Sequence, residues 1–235
     1  MGSTLERLDH LLSRLGYCSR SEVRQWLRQG RIQLTHSEKF SFGSKVDPRD
    51  VRVDGEALDS PEALYLQYHK DLGTVCAHDD PRSIYDDFPQ RWRYRRPVLS
   101  SAGRLDRDTS GLLLLSDDGQ WLHRLSHSRN AIPRRYLVQI DTPLSESAET
   151  ILASGTLRLE GEEKPCAPAQ LERVDPTHVR LTLREGRYHE VRRIMVALGS
   201  QVLRLHREAF GPYELGDLPP GGWRFLSTTE IHQEY

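Results

Sequence analysis

The stretch that decides the fold is SAGRLDRDTSGLLLLSDDG, residues 101–119. Its four consecutive leucines, 112–115, lie between two segments rich in glycine and aspartate, and a short apolar run between turn signals predicts a strand. The first of these segments places Asp106 between Arg104 and Arg107. A nearby arginine favours the charged form of a carboxylate, so Asp106 is a candidate nucleophile at neutral pH. The ordinary alternative for such a pair is a structural ion pair.

Two patterns imitate metal sites without completing one. The run DRDTSG, residues 106–111, with Asp117 at the twelfth position imitates a calcium loop. A leucine run follows, however, where such a loop needs polar ligands and a flanking helix, and its last ligand is normally Glu. His123 and His127 are four residues apart on a predicted helix, but they lack a Glu general base and a third ligand. We therefore expect no metal site here.

The overall composition excludes some classes of protein and leaves others open. The chain has 235 residues, with 33 Lys and Arg against 34 Asp and Glu, so its net charge is -1. That balance alone argues against a nucleic-acid binder, but net charge does not show where the charges lie. No stretch approaches the roughly 20 apolar residues of a bilayer span, and the start, MGSTLERLDH, is unlike a secretory signal. We expect a cytoplasmic globular protein with no membrane association.

The three cysteines do not indicate a framework or a reactive site. Cys18, Cys76 and Cys166 are far apart in the sequence and are never in C-x-x-C spacing. An odd number of such isolated residues favours neither a set of disulfides nor a thiolate zinc site. We interpret all three as small buried apolar residues.

Charge is segregated along the chain. Of the basic residues 29 are arginine and four are lysine, which either a GC-rich genome or a need for phosphate contacts would explain. The basic residues cluster in 91–96 (RWRYRR), 124–135 and 184–207, whereas 141–175 is acidic. Arginines interleaved with aromatic residues suit phosphate contact and base stacking. The pattern predicts an arginine-lined surface for RNA in a molecule of nearly zero net charge.

The amino-terminal residues predict two short helices. Leucines recur at helical spacing from Leu5 to Leu15, and Gly16 follows as a stop. The run SRSE, residues 19–22, then has the form of a capping box that opens a second helix ending at Gly30.

One face of the second predicted helix is basic. Arg20, Arg24 and Arg28 follow one another in i, i+4 steps, and Arg31 lies just beyond. Like charges at this spacing repel by a few tenths of a kcal/mol per pair, and a partner with phosphates would offset that cost. We therefore predict that these four arginines contact RNA; a solvated surface is the alternative.

This amino-terminal pattern resembles a known RNA-binding module. The segments RLD at 7–9, SR at 19–20 and GRI at 30–32, together with Gly16, are similar to the small domain named after a protein of the small ribosomal subunit. The resemblance implies two helices and a short sheet that present a basic face to structured RNA. The usual Asn-Gly or Asp-Gly turn is replaced by THS at 35–37, and an Asp-Gly turn comes later, at 54–55.

A linker separates this module from a larger domain. Residues 55–62 combine Gly, Pro and acids, so we place an RNA-binding module in 1–58 and a catalytic domain in 62–235. The apolar patterns beyond the linker predict strands at 63–68, 136–140 and 179–183 and a helix at 190–198. The expected fold is therefore α+β, with a small α/β module before a larger domain built on a mixed sheet.

Three motifs of the larger domain occur in the order and spacing of a known enzyme family. Residues 101–119, the strand start RRYLV at 134–138 and the segment EGRYHEVRR at 185–193 resemble the motifs of pseudouridine synthases. With the amino-terminal module in front, nearly the whole chain is similar to the branch that acts on small-subunit rRNA. The segments DDGQW at 117–121 and LHRE at 205–208 favour that branch over its large-subunit relatives.

The resemblance implies a reaction and a set of roles. The enzyme isomerises uridine in RNA by cutting the bond from ribose to the base nitrogen and rejoining the base through carbon five. Asp106 would be the nucleophile, Tyr136 would stack on the flipped base, and Arg192 would pair with Asp106. Arg104 would help fill the space that the base leaves. We predict three further contacts with substrate RNA: Arg134, from the basic cluster 124–135, and His189 and Arg193, from the face of the 190–198 helix opposite its apolar stripe. The reaction needs no cofactor and no metal, and the family suggests a monomer.

Departures from the family pattern leave the RNA target open. HKD at 69–71 stands where the family often has Asn-Lys-Pro, and Glu190 stands where glutamine is common. Two rival hypotheses therefore accompany the 16S rRNA enzyme: a pseudouridine synthase that acts on 23S rRNA, and a noncatalytic RNA-binding factor of ribosome assembly with the same fold.

Overall fold

A computed structural model describes residues 5–37 and 39–233. The chain divides into two compact units. The first contains the amino-terminal residues up to 64 together with 88–100 and 116–119, and the second contains 65–87, 101–115 and the residues from 120 onward. The first unit thus takes in two segments beyond the predicted linker, and each unit is described by itself.

The first unit is a small α/β module. Its helices and strands are α1 Leu8–Arg14, α2 Val23–Arg28, β1 Glu6–Arg7, β2 Ile32–Leu34, β3 Lys45–Val46, β4 Val51–Val53 and β5 Glu56–Ala57. β2, β4 and β5 form an antiparallel sheet, and β1 pairs with β3. The core consists of one face of α1 packed against apolar residues of α2 and the strands: Leu8, Leu11, Leu12, Leu15, Val23, Ile32, Val46, Val51 and Val53.

The first predicted helix is shorter than its leucine pattern. We expected it to begin near Leu5, but Glu6 and Arg7 are extended and pair with Val46 and Lys45. These residues therefore satisfy their backbone groups in a sheet, and α1 begins at Leu8. The predicted stop at Gly16 is confirmed, because its φ is +81° and a Cβ would overlap the carbonyl oxygen of Arg91. Only glycine fits such a position.

The second helix shows half of the predicted capping box. The Glu22 carboxylate accepts a hydrogen bond from the Ser19 amide at 2.8 Å, as expected for the acidic member of the box. Helical geometry begins later, at Val23, and α2 ends at Arg28. The Asp54–Gly55 turn is confirmed: it joins β4 to β5, and both residues have positive φ, as a two-residue hairpin requires.

The second unit is organised by a mixed sheet of nine strands. The strands are β6 Tyr65–Lys70, β7 Ser100–Ser101, β8 Thr109–Ser116, β9 Arg134–Ile140, β10 Gln170–Asp175, β11 His178–Leu183, β12 Val202–Phe210, β13 Tyr213–Glu214 and β14 Trp223–Phe225. The main order is β10-β11-β9-β12-β8-β6-β14, with β13 beside β12 and β7 beside β8. The helices are α3 Gly119–Ser126, α4 Ala148–Ser154, α5 Glu190–Ala197 and α6 Thr228–Ile231. The predicted mixed-sheet α+β fold is confirmed.

Most of the predicted elements of the larger domain occur close to their expected bounds. The leucine run lies inside β8 and is fully buried. In β11 the buried residues alternate with partly exposed ones, as the pattern of residues 179–183 predicts. The predicted helix at 190–198 is α5, which buries Val191, Ile194 and Met195. The strand predicted at 63–68 lies two residues further on, as β6.

The pairing of β8 with β12 depends on a glycine. The two strands run parallel, with Gly111 opposite Arg207. Gly111 has a φ of +112°, and a Cβ there would lie 2.5 Å from the Arg207 amide nitrogen. Any larger residue would separate the strands, so Gly111 keeps the loop before β8 beside β12. Within the described residues no helix is long and apolar enough to cross a bilayer.

Candidate active site

Asp106 lies in the loop between β7 and β8. The Thr109 amide donates to the Asp106 carbonyl oxygen at 3.0 Å, and the Gly73 amide donates to the carbonyl oxygen of Arg107 at 2.8 Å. The Asp106 side chain is 44 % exposed. The backbone of the loop is therefore anchored at Asp106 and at the residue after it, while the Asp106 carboxylate remains accessible to a substrate.

The loop opens into a cleft of about 520 Å³ in the second unit. A cavity of this volume suits a ligand of nucleoside size. The aromatic and basic residues that line it with Asp106 are Arg104, His127, Arg134, Tyr136, Arg184, Arg187, Tyr188, His189, Arg192 and Arg207. Arginines outnumber carboxylates along these walls, so the cleft favours a substrate that carries phosphates.

His189 is the basic side chain placed directly beside Asp106. Its Nε2 lies 3.7 Å from the Asp106 Oδ1. His189 precedes the first residue of α5 and has a φ of +48°, a conformation that costs about 1–3 kcal/mol and persists only where the surroundings hold it. The exposed ring of Tyr188 stacks on the imidazole with centroids 3.8 Å apart. Sequence reasoning predicted His189 as an RNA contact and did not predict its position beside Asp106.

Arg192 binds a different aspartate from the one we expected. Its Nη2 lies 2.6 Å from Asp108 Oδ2 and also donates to the Asp108 carbonyl oxygen at 3.3 Å. The expected ion pair with Asp106 is therefore not the contact that forms. Arg192 lies one turn after His189 on α5, and from there its guanidinium reaches the end of the loop rather than the middle. It ties α5 to the loop that carries Asp106.

Tyr136 and Arg134 face the cleft from β9. Tyr136 lies between Leu181 on β11 and Arg207 on β12 and is 9 % exposed, so its ring forms part of the cleft wall. Arg134, two residues earlier and therefore on the same face of the strand, donates from Nη1 to the Glu185 carbonyl oxygen at 3.2 Å. Its guanidinium lies 4.9 Å from the ring centroid of Phe210, and burial lowers its pKa.

Of the two remaining residues predicted to contact substrate, Arg104 lines the cleft and Arg193 does not. Arg104 is exposed beside Asp106 and lines the cleft. Arg193 points away, because its guanidinium donates to Glu162 Oε1 at 2.9 Å and to the Glu160 carbonyl oxygen at 2.8 Å. Acceptors from the acidic segment thus occupy Arg193, and it is not among the residues that line the cleft. Our expectation that it faces substrate is corrected accordingly.

Two buried cations next to the cleft were not anticipated. Arg207 is 1 % exposed, and its Nε donates to the Leu112 carbonyl oxygen at 2.7 Å. Lys70 is fully buried, and its Nζ donates to the Thr109 carbonyl oxygen at 2.8 Å, while burial lowers its pKa. Both cations therefore bind backbone oxygens in the first half of β8 and stabilise its position in the sheet. The one signal in the sequence was that Lys70 is one of only four lysines. Arg207 lies among other charged residues of β12, so nothing in the sequence distinguished it.

One trio has the donor types of a metal site. The Cys166 sulfur and carboxylate oxygens of Glu185 and Glu190 lie within 4.8 Å of one another. The Arg187 Nε lies 3.2 Å from Glu185 Oε2, however, and the Ala167 amide donates to Glu185 Oε1 at 2.8 Å. A cation already neutralises the trio and both oxygens of Glu185 have partners, so these residues do not fit a divalent ion.

The amino-terminal arginines divide into an exposed group of three and one that forms an ion pair. Arg20, Arg24 and Arg28 are exposed, and the Arg24 guanidinium lies 4.1 Å from the Phe42 ring centroid. Arg31 instead lies over the Trp26 ring and binds Asp54 with an N–O distance of 2.6 Å. The structure thus leaves three of the four predicted RNA contacts on an open surface.

The run RWRYRR at 91–96 is largely structural. Arg91 binds Asp59, and the Trp92 indole nitrogen donates to the same carboxylate at 2.9 Å. Arg95 is 1 % exposed and binds the buried Asp117 at 2.8 Å. These contacts correct the expectation that the whole run faces RNA. The expectation for the cysteines is also corrected in part: Cys166 is buried, but Cys18 and Cys76 are only half-buried.

The fold and the site together define an enzyme class: a mixed sheet presents one accessible aspartate in an arginine-lined cleft, and a small basic module precedes it in the chain. Residues 64–197 match the family described as RNA pseudouridylate synthase, and residues 6–34 match the S4 domain. The chain therefore belongs to the RNA pseudouridylate synthase family, whose members are isomerases.

Relatives match along nearly the whole length of the chain. It is 40% identical over 232 residues to the ribosomal small subunit pseudouridine synthase A of Yersinia pestis, covering 96% of both chains. It is 37% identical to the protein of the same name from Escherichia coli (strain K12), covering 96% of this chain and 98% of that one. A crystal structure of a pseudouridylate synthase superposes with a TM-score of 0.67 at 35% identity, covering 97% of this chain and 98% of that one. Both resemblances described from the motifs are confirmed.

Proposed function

We propose that this chain converts one uridine of 16S rRNA into pseudouridine, acting as a monomer in the cytoplasm. The observation that carries the proposal is the accessible Asp106 carboxylate in a cleft lined mainly by arginines. The choice of RNA follows the names of the relatives, which modify the small ribosomal subunit. A noncatalytic assembly factor is less well supported, because such a factor has no need of an accessible carboxylate in a nucleoside-sized cleft.

The chemistry is an isomerisation that requires no second substrate. The bond between ribose and the base nitrogen breaks, a bond from ribose to carbon five forms, the nitrogen gains a proton and carbon five loses one. Because uridine stacks inside folded RNA, the base must first be flipped out at a cost of a few kcal/mol. Arginine contacts to phosphates and an aromatic wall for the base would offset that cost.

The placement of the side chains supports distinct roles. Asp106 acts as the nucleophile, and Tyr136 provides the wall on which the flipped base stacks. Arg104, at the exposed rim, occupies the space that the base leaves in the RNA. Arg192 acts through Asp108 and holds the loop of Asp106 against α5, which revises the direct pairing that the family resemblance implied. His189 is the cation next to the nucleophile when it is protonated.

The test is to map pseudouridine in rRNA treated with the full chain. We expect a new carbodiimide-dependent stop of primer extension at one position of 16S rRNA, presented as free RNA or in a partly assembled subunit. 23S rRNA is presented separately as the matched substrate control. A stop only in 23S rRNA would move the chemistry to the large subunit, and no stop in either RNA would contradict the enzyme proposal.

The exposed arginines of the first unit are expected to bind the rRNA backbone. Replacing Arg20, Arg24 and Arg28 with glutamine should weaken binding and make the slope of log K against log salt less negative by about 2–2.7, since each phosphate contact contributes about 0.7–0.9. The pseudouridine yield at saturating enzyme should change little. The affinity for a 16S rRNA fragment, titrated at several KCl concentrations, measures this.

A matched control is replacement of Arg31, Arg49 and Arg173 with glutamine, because each of these arginines already binds an acidic side chain. It removes the same charge from paired positions and should leave the salt slope closer to that of the unmodified protein. Equal slopes for the two triple variants would contradict a specific role for the open arginines. The substitutions are preferable to deleting residues 1–55, because 88–100 and 116–119 pack with that segment.

A further inference from the structure

A buried carboxyl group begins the helix that faces the nucleophile. Glu190 is the first residue of α5 and is 5 % exposed. Its Oε2 accepts a hydrogen bond from the Arg187 amide at 3.1 Å, whereas its Oε1 is buried without a hydrogen-bond partner among the described residues. Such an orphaned oxygen costs about 1–3 kcal/mol unless a proton completes a bond.

The Glu185 carboxyl group lies close to that of Glu190, with an oxygen of one within 4.8 Å of an oxygen of the other. The Glu185 oxygens already accept hydrogen bonds from the Ala167 amide and approach the Arg187 guanidinium. The Cys166 thiol completes the cluster. Arg134 approaches from β9 through its bond to the Glu185 carbonyl oxygen.

The surroundings decide which carboxyl group carries a proton. Burial and the adjacent Glu185 raise the pKa of Glu190 to about 7, against a weaker opposing effect of Arg187. Burial would also raise the pKa of Glu185, but the Ala167 amide, Glu190 and Arg187 together bring it below its ordinary value. Two carboxylates this close in a low-dielectric site cannot both be charged without a large cost. Glu190 is therefore the protonated member of the pair, and Glu185 is the ionised one.

We propose that Glu190 is a positioning residue whose carboxyl group carries a proton in the active enzyme and donates it in a hydrogen bond to the Glu185 carboxylate. This bond closes the turn 185–190, which presents His189 to Asp106 and leads into the helix that carries Arg192. The inference rests on the proposed function for its activity readout and concerns the same site.

Loss of the proton from Glu190 would disturb the turn that places His189 beside the nucleophile Asp106. With Glu190 ionised, two neighbouring carboxylates repel across the turn, and the strained backbone of His189 lies within the segment that must yield. A displacement of about 1 Å of a positioning group can cost on the order of 100-fold in rate. Since the group is protonated below its pKa and ionised above it, activity should fall as the pH rises.

The experiment compares the pH profiles of single-turnover pseudouridine formation for the full chain and for Glu190→Gln. One pH unit above the pKa only about a tenth of the molecules keep the proton, so the unmodified protein should lose about tenfold in rate between pH 7 and 8.5. Glu190→Gln has an amide that donates to Glu185 at every pH, and its rate should hold over this range. Glu172→Gln, an exposed carboxylate on β10, is the control and should follow the unmodified profile.

A second measurement separates this inference from the proposed function. NMR titration of protein carrying ¹³C-labelled glutamate carboxyl groups should show one group titrating near neutral pH, and that signal should be absent in Glu190→Gln. If this NMR signal is present but no pseudouridine forms, the result supports the proton shared by Glu190 and Glu185 and contradicts the proposed function. Superimposable pH profiles would overturn the positioning role. Absence of the signal, or stoichiometric Zn²⁺ binding that Glu190→Gln abolishes, would overturn the shared proton.

Discussion

Asp106→Asn is expected to abolish pseudouridine formation, with a loss of single-turnover rate on the order of 10⁴-fold or more, as when other enzymes lose their nucleophile. The asparagine has nearly the same shape, but its amide is a far weaker nucleophile than a carboxylate. Because the side chain is 44 % exposed, the substitution should change the free energy of unfolding by no more than about 0.5 kcal/mol. Affinity for 16S rRNA should be unchanged or slightly higher, since a negative charge leaves a basic cleft.

Asp108→Asn is the matched control. It removes the same charge two residues along the same loop, but Asp108 binds Arg192 and does not line the cleft. We expect this variant to lose far less activity than Asp106→Asn, because Arg192 can still donate to the amide oxygen and keep the loop of Asp106 beside α5. Release of tritium from RNA labelled at carbon five of uridine measures both rates, because carbon five loses its hydrogen in the reaction, and RNA affinity is measured in parallel. An active Asp106→Asn, or equal losses in both variants, would contradict the assignment of the nucleophile.

Elements whose residues carry a continuous local pattern were predictable from the sequence. The alternation of β11 and the apolar stripe of α5 each have a period that only one kind of element satisfies. The leucine run of β8 was recognisable from the turn signals on either side of it. The same motifs placed Asp106, Tyr136 and Arg134 around one cleft, because the family resemblance fixes their order and spacing. Local pattern and family motif agreed at these positions.

The misplaced residues depend on partners far away in the sequence. Glu6 and Arg7 continue the leucine pattern of α1, yet they form a strand because residues 45 and 46 lie beside them. Arg192 could have reached either of two aspartates, and only the position of α5 relative to the loop selects Asp108. In 91–96, the arginines that looked free bind acids 22 to 32 residues away.

Buried cations and carboxyl groups were the least predictable part of the site. Arg207 and Lys70 are stabilised by carbonyl oxygens of β8, and a sequence does not show which backbone oxygens will face a side chain. Glu190 was noticed only as a departure from glutamine. Its significance comes from Glu185, which the turn 185–190 places against it.

Asp117→Asn is expected to lower the free energy of unfolding of the first unit by about 3–5 kcal/mol, the usual cost of leaving one charge of a buried ion pair without its partner. The side chains of Asp117 and Arg95 are 4 % and 1 % exposed, and they meet at 2.8 Å. Asp117 also accepts from the Leu64 amide at 2.6 Å, and Arg95 donates to the Glu62 carbonyl oxygen at 3.0 Å. One ion pair thus joins three segments of the first unit.

The asparagine keeps an acceptor for the Leu64 amide but leaves the Arg95 guanidinium buried without a counter-charge, and that unpaired cation accounts for most of the expected loss. The double variant Arg95→Met/Asp117→Asn removes both charges and fills the space with an apolar chain. It should therefore be destabilised by less than the sum of the two single variants. Because the free energy of unfolding of a native protein is usually about 5–15 kcal/mol, the loss expected for either single variant is a large fraction of it.

Urea unfolding followed by circular dichroism, with hydrogen exchange of the 60–64 and 95–99 segments, measures these changes. Glu149→Gln is the control, because its ion pair with Arg173 is exposed and should contribute less than about 1 kcal/mol. An Asp117→Asn midpoint within error of that control would show that the ion pair is not what holds the three segments together. A double variant as unstable as the sum of the singles would place the cost in the lost hydrogen bonds rather than in the unpaired charge.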